Sequence, residues 1–335
     1  MPVPAAQRSR FVRLDSADAF ARAFPRARAV HLGIGNCDGF HLGHRAVFAE
    51  ARSRAEADGG LVGALTFDPH PEVFFRGSGA VKLIFPQARK DALFAAAGLD
   101  FVVHEPFSRA FAEIEAEDFL KFLKGKIPAL RGVCVGDNFR FGARRRGDVA
   151  ALKKFGADCG VSVVAVEPKS YAGARISSSR IRAALRAGEI AEADAMLGEP
   201  YAAEGVVVPG NRLGRTIGFP TLNLAWAPEL LPCFGVYVVR LRVPATGADF
   251  RGVANYGVRP TIAASGAGVP APLLETHLID VPAGVPVPTY GDFVRVEWLE
   301  FIRPEVRFGG LDALKNQLES DRVRARSRFF SVNKE

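Results

Sequence analysis

The sequence predicts an α/β + β protein of two domains. The first is an α/β domain on a doubly wound parallel sheet, the second a small antiparallel β-barrel with a terminal helix. Three observations carry this expectation. The chain has 335 residues, beyond the range over which one hydrophobic core usually grows. From residue 30 to about 166, short β-like runs alternate with amphipathic helical patterns, the signature of a parallel sheet covered by helices. From residue 204 onward the sequence is strand-rich with Gly and Pro turns, and it closes on one helical stretch.

In the first region, residues 30–34, 61–67, 101–104, 133–135 and 161–166 read as strands. Helical patterns at 46–57, 87–97, 116–123 and 149–155 separate them. Two short helices follow at 179–186 and 190–196, punctuated by Gly188 and Gly198, residues suited to helix C-caps. The second region offers strands at 205–208, 235–243, 273–280 and 293–301 and a helix at 311–325. Alternation is clearest around Val294-Arg-Val-Glu-Trp298, as in a sheet with one wet face. A domain at 1–186, a linker helix region at 187–199 and a domain at 200–335 are therefore expected.

Composition narrows the function. Hydrophobic residues make up 48% and charged residues 24%, ordinary for a globular protein. A formal net charge of +8 favours anionic ligands. No basic–aromatic repeat or zinc-finger spacing accompanies it, so small polyphosphates are the better expectation than nucleic acid. Cys37, Cys134, Cys159 and Cys233 are scattered without a Cys-x-x-Cys pair and predict neither disulfide framework nor zinc site. Charges at Arg8, Arg10, Arg13, Asp15 and Asp18 interrupt any apolar leader. No run is long enough to span a bilayer. A cytoplasmic location and no membrane partner are expected.

The densest chemistry lies in His31-Leu-Gly-Ile-Gly-Asn-Cys-Asp-Gly-Phe-His-Leu-Gly-His-Arg45. An apolar strand ends in small and polar residues, and a helix restarts, with His41 and His44 at i and i+3 where unpaired N–H groups welcome a triphosphate. Gly33-x-Gly35 misses the dinucleotide fingerprint by one residue. A metal site from two histidines alone is thin, and a plain capping turn is the bland alternative. Three further clusters follow later β-like runs: Thr66-Phe-Asp-Pro-His-Pro71, Gly136-Asp-Asn-Phe-Arg-Phe-Gly142 and Ile176-Ser-Ser-Ser-Arg-Ile-Arg182. The last opens a helix with hydroxyls and two arginines, a second phosphate cradle or an ordinary N-cap run.

In this order, D-G-x-H-x-G-H, F-D-P-H-P, G-x-N-F-x-F-G with Arg146-Gly147-Asp148, and S-S-x-R-I-R resemble one half of a known family. It is the adenylyltransferase half of prokaryotic bifunctional riboflavin kinase/FAD synthetases, over roughly residues 28–186. The resemblance implies a Rossmann-like nucleotidyltransferase domain and the reaction FMN + ATP → FAD + pyrophosphate, by direct attack of the FMN phosphate on the α-phosphorus of ATP. It implies that His41, His44 and Arg182 act on the phosphates. Gly35, Asn36, Asp38, Gly43, Asn138, Ser178, Ser179 and Arg180 are implied to bind nucleotide or flavin. Arg144-Arg-Arg146 is either an assisting cluster or a solvated loop. Cys37 departs from the Phe that the family usually carries there, which implies altered packing with activity kept.

Downstream, Gly214-Arg-Thr-Ile-Gly-Phe-Pro-Thr-Leu-Asn223 lacks the Walker lysine. It offers a glycine-rich turn, with Thr221 and Asn223 on one side of an extended segment, hard oxygen ligands suited to Mg²⁺. In Leu273-Leu-Glu-Thr-His-Leu-Ile-Asp280, Glu275 and His277 share one face of an apolar strand. A buried ion pair and a general base both explain them. With Gly235-Val-Tyr237, Gly257-Val-Arg-Pro-Thr261 and Tyr290-Gly291, these segments resemble the riboflavin kinase module over roughly residues 200–330. That resemblance implies riboflavin + ATP → FMN + ADP, with Glu275 as base, Mg²⁺ with ATP at Thr221 and Asn223, and Gly214, Thr216, Gly218 and Pro220 around the nucleotide or flavin. Leu222 replaces the usual Ala, and residues 281–289 form a longer, Pro-rich connection without its usual acidic residue, which implies a changed lid.

The expected partners are ATP, riboflavin and FMN as substrates, with FMN and FAD as products, and at most a weak homo-oligomer. Two alternatives are set against this: another H-x-G-H nucleotidyltransferase with a different acceptor, and a flavin- or RNA-binding regulatory protein on the same scaffold. Glu275 argues against both, and the intact histidines argue against the second.

Overall fold

The apolar runs of the first half pair in parallel, each reached through a helical crossover. In the computed structural model, residues 11–210, 214, 217–258 and 272–331 are described, and they fall into two units divided between Ser178 and Ser179.

Unit one contains β1 (Val12–Leu14), α1 (Phe20–Ala23), β2 (Val30–Ile34), α2 (Leu42–Ala57) and β3 (Leu61–Asp68). Next come α3 (Pro71–Arg76), α4 (Gln87–Ala96), β4 (Phe101–Pro106), α5 (Arg109–Ala112) and α6 (Ala116–Lys126). β5 (Leu130–Gly136), α7 (Val149–Cys159), β6 (Ser162–Val166) and the hairpin β7 (Ser170–Tyr171) and β8 (Ala174–Arg175) complete it. The six-stranded sheet runs β1-β4-β3-β2-β5-β6, and every pairing in it is parallel. All five residues of β2 are buried, as a central strand covered on both faces must be. Leu32, Ile34, Leu65, Val103, Leu120, Leu130 and Val133 form the core beside it. From β2 the chain moves outward through β3 and β4, then returns to β5 on the opposite side. The carboxyl ends of β2 and β5 thus flank a topological switch point, the usual ligand position in such sheets.

Unit two opens with α8 (Ser178–Ala187), whose first residue closes unit one, and α9 (Ile190–Leu197). The strands β9 (Ala202–Val208), β10 (Thr221–Ala225), β11 (Gly235–Val243), β12 (Ala248–Val258), β13 (Pro272–Ile279) and β14 (Phe293–Arg303) follow. They close a barrel in the order β10-β13-β12-β11-β14-β9, antiparallel throughout. Tyr201, Tyr237, Tyr256 and Trp298 fill its interior with aromatic contacts. The last helix, α10 (Leu311–Ser331), packs Ala325 and Phe329 against Val236, Val238, Val253 and Ile279.

Besides the short hairpin β7–β8, three strands of the main sheet and the barrel escape the sequence reading. β1 is only three residues long, too short for a period to show. β10 reads in the sequence only as an extended segment, and β12 is diluted by Gly252 and Gly257. The two helices ahead of the barrel form as expected, with Gly198 ending α9 in the left-handed region.

Those helices belong physically to the barrel unit. Ile181, Leu185, Ile190, Met196 and Leu197 are buried, the Cys233 N–H donates to the Leu185 carbonyl at 2.9 Å, and the Tyr201 N–H donates to Asp194 at 2.7 Å. Burial pushes the Asp194 carboxyl up to about 7. Two outcomes follow. A fragment starting at Ser179 should melt roughly 10 °C above one starting at Glu199, because the shorter one strips several buried side chains from its barrel; equal melting would detach the helices from the barrel core. A raised carboxyl favours the protonated form in the fold, so its stabilisation is complete below the ordinary carboxylate pKa and is lost as pH rises through about 7. Melting of the longer fragment should therefore decline over that interval, and Asp194→Asn should flatten the decline.

Candidate active sites, one in each unit

The loop after β2 is held from three directions. The Thr66 hydroxyl donates to the Asn36 carbonyl at 3.3 Å. A carboxylate oxygen of the buried Asp38 accepts from the Ile84 N–H at 2.9 Å. The Ser178 hydroxyl donates to the Asp38 carbonyl, also at 2.9 Å. Asp38 and Ser178 therefore fix the loop in place. Cys37 adopts φ 52, is buried and donates to the Gly35 carbonyl; burial pushes its thiol up to about 12, so it is a packing group rather than a nucleophile.

His41 is the N-cap of α2, and its Nδ1 accepts from the His44 N–H at 3.3 Å. In the neutral ring the proton then sits on Nε2. The two imidazoles stack with centroids 3.7 Å apart. A Cβ on Gly43 would come to 3.1 Å from the His41 ring, so glycine at the middle of the motif lets that ring fold back over the first turn. Burial pulls His41 down to about 4, with Arg175 adding to the shift. The same desolvation, with His41 and Lys90 nearby, holds His44 well below the usual imidazole range. The buried Nδ1 of His44 lacks a partner among the described residues. Two neutral rings, one with an orphaned polar atom, thus stand at the positive end of a 16-residue helix.

The same unit holds a cavity of roughly 510 Å³, whose lining includes neither His41 nor His44. Gly35 and Asn36 enter it after β2, Phe67 and Pro71 from the end of β3, Phe107 after β4, and Asn138 with Phe139 and Phe141 after β5. Arg144 and Arg145, at φ 53 and 58, line the same cavity, so these two arginines of the basic run are wall residues. The loop carrying them is closed by a bridge between Phe141 and Gly147. Asp137 pairs with Arg175 at 2.5 Å. An aromatic-walled slot rimmed by cations suits a flat ring system carrying a phosphate. His70, in the F-D-P-H-P cluster, instead caps α3. Phe75 and Phe111, lining residues, were missed because only their fold neighbours show that they face a cavity.

In unit two, Ser179 is exposed and Arg182 half-buried, while Arg180 pairs with Glu192 at 2.5 Å. The second cleft, roughly 260 Å³, is lined by Gly214, Phe219, Thr221, Asn255, Glu275 and His277, with Leu314 and Leu318 of α10. Register explains the gathering: Thr221 lies opposite His277 and Asn223 opposite Glu275, while Asn255 faces Glu275 from the other side. His277 donates its Nδ1–H to the Pro220 carbonyl at 2.9 Å, which ties the glycine-rich turn to β13. That turn is closed by Phe219 N–H donating to the Gly214 carbonyl at 2.8 Å, with Gly218 at φ 88. Thr216 and residues 259–261 lie outside the described residues. Among the described residues no group of three His, Cys, Asp or Glu could hold a metal; the hard donors available are the Thr221 hydroxyl and the Asn223 carboxamide. Arg303 and Glu305 also line the cleft and were missed, because they lie past the last strand's alternating stretch. No described helix is long and apolar enough to cross a membrane.

Comparison with known proteins supplies the family. Residues 24–180 match the FAD synthetase family model and residues 197–329 the riboflavin kinase model. The bifunctional riboflavin kinase/FMN adenylyltransferase of Escherichia coli K12 is 37% identical over 303 residues, 90% of this chain and 93% of that protein. Its counterpart in Listeria monocytogenes is 34% identical over 305 residues, again 90% and 93%. A crystal structure from Streptococcus pneumoniae, described as a macrolide-efflux protein, superposes with a TM-score of 0.80 at 26% identity, covering 94% of this chain and 98% of that one.

The buried histidines predict an acid-side effect on unit one. A lowered imidazole pKa means that the unfolded chain binds protons the fold excludes. Stability is therefore full above the ordinary pKa of 6.5 and lost as pH falls through about 4. Unfolding followed by Phe-cluster fluorescence or hydrogen exchange in unit one should show this loss, and His41→Gln should reduce it. An unchanged pH profile in the variant would count against the desolvated pair.

Proposed function

We propose an assignment of residues that starts from one premise: this chain belongs to the family of bifunctional riboflavin kinases/FMN adenylyltransferases, phosphorylating riboflavin to FMN and adenylylating FMN to FAD. We assign adenylyl transfer to residues 1–186 and phosphorylation to residues 200–335, with 187–199 between them. One observation supports the assignment: in each module, family motifs from separate chain segments converge on a single cleft.

In the first module, the isoalloxazine of FMN would lie among Phe67, Phe107 and Phe139, with Asn36 and Asn138 at its polar edge. The triphosphate would lie against the first-turn N–H groups of α2, with His41 donating from Nε2 and His44 offering its orphaned ring. As the FMN phosphate oxygen bonds to the α-phosphorus, the bond to pyrophosphate breaks. Fixed donors stabilise the extra negative charge without reorganising. The motif resemblance extends the phosphate set to Ser179, Arg180 and Arg182; Arg180 must then trade its Glu192 partner for phosphate.

In the second module, the Glu275 carboxylate takes the proton of the ribityl 5′-hydroxyl as that oxygen bonds to the γ-phosphorus and ADP leaves. His277 holds the Gly214–Pro220 turn in place through the Pro220 carbonyl. Thr221 and Asn223 supply hard oxygen donors of the type Mg²⁺ accepts, and Mg²⁺ bound there would offset phosphate charge. A cytoplasmic enzyme with small-molecule substrates alone completes the reading.

Purified protein given riboflavin and ATP with Mg²⁺, and sampled by flavin chromatography, separates the two reactions. His44→Ala should slow FAD formation by roughly 10²–10³-fold while riboflavin phosphorylation continues. Equal loss of both reactions at unchanged melting would defeat the two-site division. Glu275→Gln should show the converse: FMN formation falls by about 10²–10⁴-fold and FMN adenylylation persists. If that variant melts early yet turns over normally per folded molecule, Glu275 is a structural acid and not the base.

A further inference from the structure

The lining of the barrel unit's cleft mixes two chemistries. Ile217, Val236, Val253, Phe308 and Leu318 supply apolar wall, suited to a ring system. Among them stand Glu275, Asn255 and Glu305, and these last two have no place in the chemistry assigned so far.

Glu305 reaches the cleft from the segment between β14 and α10. One of its carboxylate oxygens accepts from the Asn255 side-chain N–H at 3.0 Å. A carboxylate cannot donate, so this contact decides which way the Asn255 amide points: nitrogen toward Glu305, oxygen left as an acceptor. Asn255 is in turn the register partner of Glu275 across β12 and β13, so their side chains leave the same face of the barrel wall. The place for Glu305 is kept open by Gly257, where a Cβ would come within 2.1–2.3 Å of the carboxylate. Arg303, the cation that lines the cleft, is committed to Asp321 through three contacts of 2.7–3.2 Å. The cleft therefore presents a row of acceptors leading away from Glu275.

Given the assignment of Glu275 and this cleft to riboflavin, we propose that Glu305 and Asn255 are the specificity residues that read the ribityl chain, accepting hydrogen bonds from its internal hydroxyls while the 5′-hydroxyl lies at Glu275. A polyol brings one O–H donor per carbon and suits such a row. A flavin with a plain alkyl chain would leave the acceptors desolvated without donors, which is how a polar site rejects an analogue.

The test compares riboflavin with a 5′-hydroxypentyl flavin, which keeps the terminal hydroxyl and lacks the internal three. The full-length enzyme should prefer riboflavin by roughly tenfold or more in kcat/KM, since hydrogen bonds to charged acceptors carry that much discrimination. Glu305→Ala should bring the two flavins within about threefold of each other, chiefly by raising KM for riboflavin, and Glu305→Gln, which keeps an acceptor oxygen, should retain an intermediate preference. FAD formation from supplied FMN reports that the variants fold. If Glu305→Ala slows both flavins equally, or leaves the preference intact, the inference is overturned, whereas the assignment of the cleft stands as long as Glu275→Gln loses turnover on both flavins. Full turnover of Glu275→Gln on either flavin would overturn the cleft assignment itself.

Discussion

Parallel pairing of β2 with β3 on one side and β5 on the other is the constraint on which unit one depends. Parallel strands can be joined only by crossovers, so every strand end that carries polar loops emerges on one side. The chain also reverses direction of travel across the sheet at β2. The loops after β2 and β5 are therefore forced apart, leaving a space that no connection fills. The start of the loop after β2, the Asn138 loop and aromatic residues at the ends of β3 and β4 meet there because topology leaves them nowhere else.

The two units set out their candidate phosphate-binding groups in physically different ways. Unit one uses a helix terminus: unpaired N–H groups, a dipole, and imidazoles kept neutral by burial, so that their polar atoms wait as uncharged donors and acceptors. Unit two sets the groups of its cleft on strands. It places side-chain oxygens by strand register, Thr221 and Asn223 at i and i+2 on β10, opposite His277 and Glu275 on β13. A register slip of one residue would turn the whole set to the other face. The closed barrel, in which each strand is paired on both sides, prevents that slip.

Much of this was legible in the sequence because it rests on local pattern. The parallel strands announce themselves as apolar runs, and the motif residues His41, His44, Thr221, Asn223 and Glu275 sit in spacings that carry chemistry. Elements whose pattern is short or diluted by glycine, β1 and β12, were not legible. Nor were residues whose role depends on a distant neighbour. Asp38 reads as a ligand-binding acid, yet its carboxylate holds the Ile84 N–H, 46 positions away in the chain. Arg180 reads as a phosphate cation, yet in the structure it is matched with Glu192. Glu305 becomes visible only once β12 and the segment after β14 are folded together.

The terminal helix acts as more than a lid on the barrel's apolar flank. Leu314 and Leu318 are wall residues of the barrel unit's cleft, and the buried Asp321 on the same helix clamps Arg303 at the end of β14. Further along, Arg326 grips Asp280 beyond β13. The carboxyl-terminal stretch is thus wired into the site, and what is attached there matters in practice. An affinity handle or fusion partner joined close after α10 is attached to a helix that lines that cleft. One joined at the opposite terminus lies ahead of the edge strand β1, which lines neither cleft, and that makes it the sounder choice for immobilising or labelling the enzyme.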